Sequence, residues 1–141
     1  MVSGGRNAIS SFLRCLKSLF CHNYQDINIQ ETFSIDQTFF TGREAFDWLM
    51  QKSDRLIIVK FVAPYCPSCK TLKPVLHQIA EENTGKLHLL ELDMSEEPEL
   101  AINYGVRSAP TVVLLKKQQT LAQIAGLKPK KQYADTIQSA L

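Results

Sequence analysis

Residues 55 to 63, RLIIVKFVA, are almost continuously apolar and rich in β-branched side chains. A strand with one wet face alternates apolar and polar residues; one that hardly alternates is buried on both faces. This stretch therefore requires a central strand in a sheet with helices covering both sides. A chain of 141 residues is long enough for one domain with such a core and too short to expect two. Its 45% hydrophobic and 21% charged residues are those of an ordinary globular protein, not of a disordered or disulfide-dense secreted one.

Other elements follow in alternation. TGREAFDWLMQK (41 to 52) reads as a helix, with Thr41 as cap, Glu44 three residues later as in a capping box, and Ala45, Trp48 and Leu49 on one face. From Pro67 to about Asn83, Leu72, Val75, Leu76, Ile79 and Ala80 recur at helical spacing; Pro67 suits the first helical position, and Pro74 is expected to kink the run. KLHLLELDM (86 to 94) reads as a strand, EEPELAINYG (96 to 105) as a helix closed by Gly105, and TVVLLKK (111 to 117) as a strand. A turn at Gln118 and Gln119 leads into a hairpin partner, TLAQIAG (120 to 126), before a last helix over 128 to 141. Strand and helix alternate to residue 105 and a hairpin follows, which implies a mixed sheet flanked by helices.

Charge is unevenly spread. Residues 1 to 25 hold Arg6, Arg14 and Lys17 and no acid, so the remaining 116 residues carry 13 bases against 14 acids. Without a basic stripe on the body, a nucleic-acid partner is not expected. In NAISSFLRCLKSLFCHN, Ile9, Phe12, Leu13, Leu16 and Phe20 line one face of a helix, with Arg14, Lys17 and Ser18 opposite. Arg14 and Lys17 interrupt the apolar residues, so neither a secretory signal nor a membrane span fits. Three readings stay open: an organellar transit peptide, a helix over residues 8 to 21 that contacts a membrane surface or partner, or a helix that packs on its own domain.

The chemistry-bearing motif is YCPSCK, residues 65 to 70, directly after the buried strand and at the start of the long helix. With Cys66 at the helix start, backbone N–H groups and the positive end of the helix dipole face its sulfur and favour the thiolate. Cys69, one turn further in, is placed to attack a mixed disulfide on Cys66 and release a reduced substrate. A strand before and a helix after raise this above a bare C-x-x-C match.

With these residues the chain resembles the thioredoxin family over about residues 36 to 141. The likeness rests on IIVKFVAPYC, YCPSCK, Pro74, NYGVRSAPT (103 to 111) and Gly126 ahead of the last helix. The stretch from Lys86 to Thr111 is especially similar to thioredoxin domains fused to NADPH-thioredoxin reductases of photosynthetic organisms. The resemblance implies a thioredoxin fold over 36–141, preceded by a basic amphipathic extension and connector over 1–35. It implies a cis Pro110 beside the active-site sulfurs, with Ala109 presenting backbone groups to an extended substrate strand.

Three positions depart from the family pattern. Tyr65 stands where tryptophan is usual, a flat amphipathic face with a phenolic O–H. Pro67 and Ser68 replace Gly-Pro between the cysteines, so the Cys66 thiolate is expected to rely on Ser68 and Cys69 rather than on an amide of residue 67. The redox potential then stays open over the range from thioredoxins to stronger oxidants. Lys60 occupies the place of the family's buried acid, and Glu91 that of the facing lysine. As an ion pair the two partly cancel each other's desolvation cost. Lys60 favours the Cys69 thiolate as a cation, or accepts its proton if burial depresses its pKa. The alternative is that Lys60 snorkels to the surface and Glu91 is an ordinary strand-end charge.

The remaining candidates are weaker. Cys15 and Cys21 would point about 120° apart on a helix and cannot bridge each other; acylation, intermolecular pairing and inert packing stay open. A four-cysteine zinc site of Cys15, Cys21, Cys66 and Cys69 would need a C-x5-C half, outside the usual two-to-four spacing. His22, His77 and His88 show no ligand spacing and read as structural or solvated.

The expected function is reduction of protein disulfides by dithiol-disulfide exchange through Cys66 and Cys69, with Tyr65, Pro67, Ser68, Ala109 and Pro110 against the substrate. No metal or organic cofactor is needed, a separate thioredoxin reductase recycles the protein, and a monomer is expected. The compartment would be the cytoplasm, or an organelle stroma or matrix if residues 1 to 25 are a transit peptide. The competing function is a non-catalytic binding or scaffold module tethered by its N-terminal helix.

Overall fold

In the computed structural model, which describes residues 32–141, the run read as a central strand is β2, Leu56–Val62. Parallel β3, Leu87–Asp93, lies on one side of it and antiparallel β4, Thr111–Lys116, on the other. With β1, Phe39–Thr41, and β5, Gln119–Ala125, the sheet order is β1-β3-β2-β4-β5. All of β2 except Val62 is buried, which is why its sequence does not alternate. The amphipathic helix expected near residues 8 to 21, with Cys15, Cys21 and His22, lies outside the described residues.

Helices cover both faces. Leu72, Leu76 and Ile79 of α2, Pro67–Glu82, pack with Tyr133 and Ile137 of α4, Lys130–Ala140, on the face holding Leu56 and Ile58. Ile57, Val59 and Phe61 point the other way along β2 and are equally buried. α1, Arg43–Lys52, buries Ala45, Phe46 and Leu49, and the short α3, Pro98–Asn103, buries Leu100 and Ala101. After α3, Gly105 at φ 69° closes the turn: its N–H donates to Ile102 O (3.0 Å) and that of Val106 to Ala101 O (2.8 Å). α2 continues through Pro74 to Glu82.

Two local expectations are corrected. Thr41 does not cap α1: it ends β1, opposite Glu91, and Gly42 at φ 94° turns the chain into the helix without a side-chain cap. The parallel ladder takes this backbone first, for the Gly42 N–H donates to Glu91 O at 3.1 Å. β1 itself has three residues, too few to show a period of two. The hairpin turn falls at Lys117 and Gln118, both at positive φ, one residue before the glutamine pair.

His88 is fully buried between β1, β3 and the end of α1. The Gln37 carbonyl only accepts, so Nδ1 donates to it (2.9 Å) and Nε2 accepts from the Ser53 hydroxyl (2.9 Å). Ser53 Oγ in turn accepts the Arg55 N–H at 3.1 Å. Burial, aided by the Arg55 charge and opposed by the Gln37 carbonyl, holds the imidazole below its usual pKa. A base whose folded pKa is depressed contributes stability that is complete above about pH 6.5, its unfolded value, and lost as pH falls toward the folded one. Urea midpoints measured from pH 7.5 to 5 are expected to fall more steeply for the parent than for His88→Gln.

Candidate active site

The loop from β2 to α2 delivers YCPSCK at the end of the central strand. Tyr65 takes a left-handed conformation, φ 57°, and is 99% exposed. That geometry costs a non-glycine residue roughly 1 kcal/mol and holds the ring out from the surface rather than against the core. Cys66 is the N-cap of α2, in extended conformation, and Pro67 occupies the first turn, where its missing N–H costs nothing.

Cys66 and Cys69 form a disulfide, with Cα atoms 5.3 Å apart. In this disulfide Cys66 Sγ accepts the N–H of Cys69 at 3.2 Å. Ser68 supplies no hydrogen bond to that sulfur. The first turn of α2 contains no acid to oppose the helix dipole. Cys66 is half-buried whereas Cys69 is 6% exposed, so an incoming sulfur meets Cys66 first.

Behind the disulfide, Lys60 is only 3% exposed. Its Nζ donates to the carbonyl of Cys69 at 3.0 Å and lies 3.4 Å from Glu91 Oε2. The two residues are direct partners across β2 and β3. Desolvation lowers the Lys60 pKa; the Glu91 carboxylate opposes that shift, and Lys73 adds to it. A cavity of about 190 Å³ joins Tyr65, Cys66 and Cys69 to Lys60, Lys70, Lys73 and Glu91. Lys70 and Lys73 are additions to the residues expected from sequence. Their signal was helical phase, because positions 66, 69, 70 and 73 share one face of α2.

The Ala109–Pro110 peptide is cis. Thr111 pairs with Phe61, so Pro110 sits at the sheet end where β2 runs out toward Cys66. Its carbonyl accepts the Gly126 N–H at 2.8 Å. The Gly126 carbonyl accepts the Tyr133 hydroxyl (2.8 Å), which itself accepts the Lys128 N–H (3.2 Å). Tyr133→Phe strips a buried hydroxyl from two backbone partners and is expected to cost about 1–3 kcal/mol in urea unfolding. Among the described residues, no group of three or more His, Cys, Asp or Glu side chains converges to hold a metal.

The family model described as Thioredoxin matches residues 37–139. The chain belongs to the thioredoxin family. It is 35% identical over 112 residues to NADPH-dependent thioredoxin reductase 3 of Arabidopsis thaliana, covering 79% of this chain and 21% of that protein. It is 34% identical over 93 residues to a chloroplastic M-type thioredoxin of Brassica napus, covering 66% of this chain and 52% of the relative. This thioredoxin-family chain thus spans about a fifth of the first relative and about half of the second. Among solved structures, a mutant thioredoxin of Halobacterium salinarum NRC-1 superposes with a TM-score of 0.64 at 29% identity, covering 77% of this chain and 95% of that one. The five-stranded mixed sheet flanked by helices is accordingly the thioredoxin fold.

Proposed function

We propose that the protein is a thiol-disulfide oxidoreductase that reduces disulfides in other proteins. The observation that carries this reading is the Cys66–Cys69 pair itself, with Cys66 at a helix start and Cys69 buried, its backbone carbonyl accepting the Lys60 ammonium. In the reduced protein, the Cys66 thiolate attacks a substrate disulfide: a bond forms between Cys66 Sγ and one substrate sulfur, and the other leaves as a thiolate that takes up a proton. Cys69, once deprotonated, attacks Cys66 Sγ, the second substrate sulfur leaves, and Cys66–Cys69 remains as a disulfide. A thioredoxin reductase then returns two electrons and two protons.

Tyr65, Pro67 and Ser68 form one wall for the substrate strand, and Ala109 and Pro110 the other. Lys60 favours the Cys69 thiolate as a buried cation, and Glu91 compensates its charge. Net reduction of substrates calls for a reducing compartment such as the cytoplasm, and the chloroplastic relative supports the organelle alternative. The test is turnover of insulin disulfides with dithiothreitol as electron source. The parent is expected to precipitate reduced insulin well above the thiol background. Parent activity no higher than background would leave the binding-module reading instead.

A further inference from the structure

The cavity beside the disulfide has a charge imbalance that the exchange chemistry does not use. Of its four charged residues, Lys60 and Glu91 are paired with each other. Lys70 and Lys73 are exposed and make no ion pair or side-chain hydrogen bond among the described residues. The acids in the loop after β3 form no ion pair with these two lysines. Asp93, opposite Val62, accepts the Ser95 N–H (2.8 Å) and hydroxyl (2.6 Å), and Glu97 meets Arg43 at 3.2 Å. Two uncommitted ammonium groups therefore stand on the helix face that carries both cysteines.

We propose that Lys70 and Lys73 select for disulfides flanked by carboxylates, so that the preferred substrates are acidic protein segments. This rests on the oxidoreductase reading and adds its specificity. A carboxylate beside the scissile disulfide meets these ammonium groups as its sulfur reaches Cys66, whereas a flanking lysine is repelled. Both lysines are solvated, so each contributes modestly and the effect is screened by salt.

The test uses the reduced full chain and three short peptide disulfides that differ only in having Glu, Gln or Lys on both sides of the cysteine. Rates are divided by those with mercaptoethanol, which removes the effect of the flanking charge on the leaving thiol. At low ionic strength the Glu-flanked peptide is expected to react about tenfold faster than the Lys-flanked one, with Gln between, and the ratio to shrink toward one in 0.5 M salt. In the Lys70→Glu/Lys73→Glu double variant the order is expected to reverse. Equal normalised rates for all three peptides in the parent, or an unchanged Glu preference in the double variant, would overturn the proposal. The salt series on the parent needs no variant to fold. Equal peptide rates alongside robust insulin reduction sink the specificity alone, while failure on insulin and on every peptide sinks the oxidoreductase reading with it.

Discussion

Cys66→Ser is expected to abolish insulin reduction, a loss on the order of a thousandfold or more, because a hydroxyl at the helix start supplies no thiolate near neutral pH. Cys69→Ser is expected to fail differently. Cys66 can still open the substrate disulfide, but nothing within reach resolves the product, so a mixed disulfide accumulates and is visible on a non-reducing gel. The asymmetry follows from burial: Cys66 is the half-exposed sulfur, and Cys69 is 6% exposed behind it. Both variants trapping substrate equally would mean that the two sulfurs are interchangeable. Insulin turnover that survives Cys66→Ser would remove the enzymatic reading altogether.

The second large effect concerns the Lys60–Glu91 pair. Glu91→Gln leaves an ammonium in the interior without its carboxylate, and with Glu91 about one-third exposed the expected loss is about 2 kcal/mol, below the 3–5 of a fully buried pair. Lys60→Met removes the charge and leaves the Cys69 carbonyl without its Nζ donor, an expected loss of about 1 kcal/mol. The double variant is expected to lose less than the sum, because neither charge is stranded. Lys60 has a depressed folded pKa, so the unfolded state holds more protons below pH 10.5, and the Glu91→Gln deficit shrinks as pH rises toward that value. Urea unfolding at pH 7 and pH 10 reads both effects. The chemical counterpart is the pH profile of cysteine alkylation in the reduced protein, whose midpoint should rise in Lys60→Met. Identical profiles for parent and variant would end any role for Lys60 in thiol ionisation.

The helix that carries the cysteines was legible because Leu72, Leu76 and Ile79 repeat at a helical period directly after Pro67, and the packed core uses that stripe. Gly105 was legible as a helix stop because few other residues take a positive φ cheaply. The start of α1 was misread at Thr41, since a favourable local cap lost to a strand pairing with residues about 50 positions away. Lys60 had two open readings in the sequence, solvated stem or buried ion pair, and its 3% exposure distinguishes them. Helical phase puts Lys70 and Lys73 on the face of Cys66 and Cys69, but nothing local says that a cavity opens beside them.

Patterns of short range were therefore readable from residue order: the double-sided burial of β2, the cysteine at a helix start, and the second cysteine one turn on. They depend on apolar periodicity and on backbone geometry within a few residues. The resemblance had placed Glu91 opposite Lys60, but the burial of Lys60, the three-residue β1 and the basic cavity at the disulfide arise from register and packing between distant segments. Such contacts are set by the joint fit of the whole core, and no local run of residues encodes them.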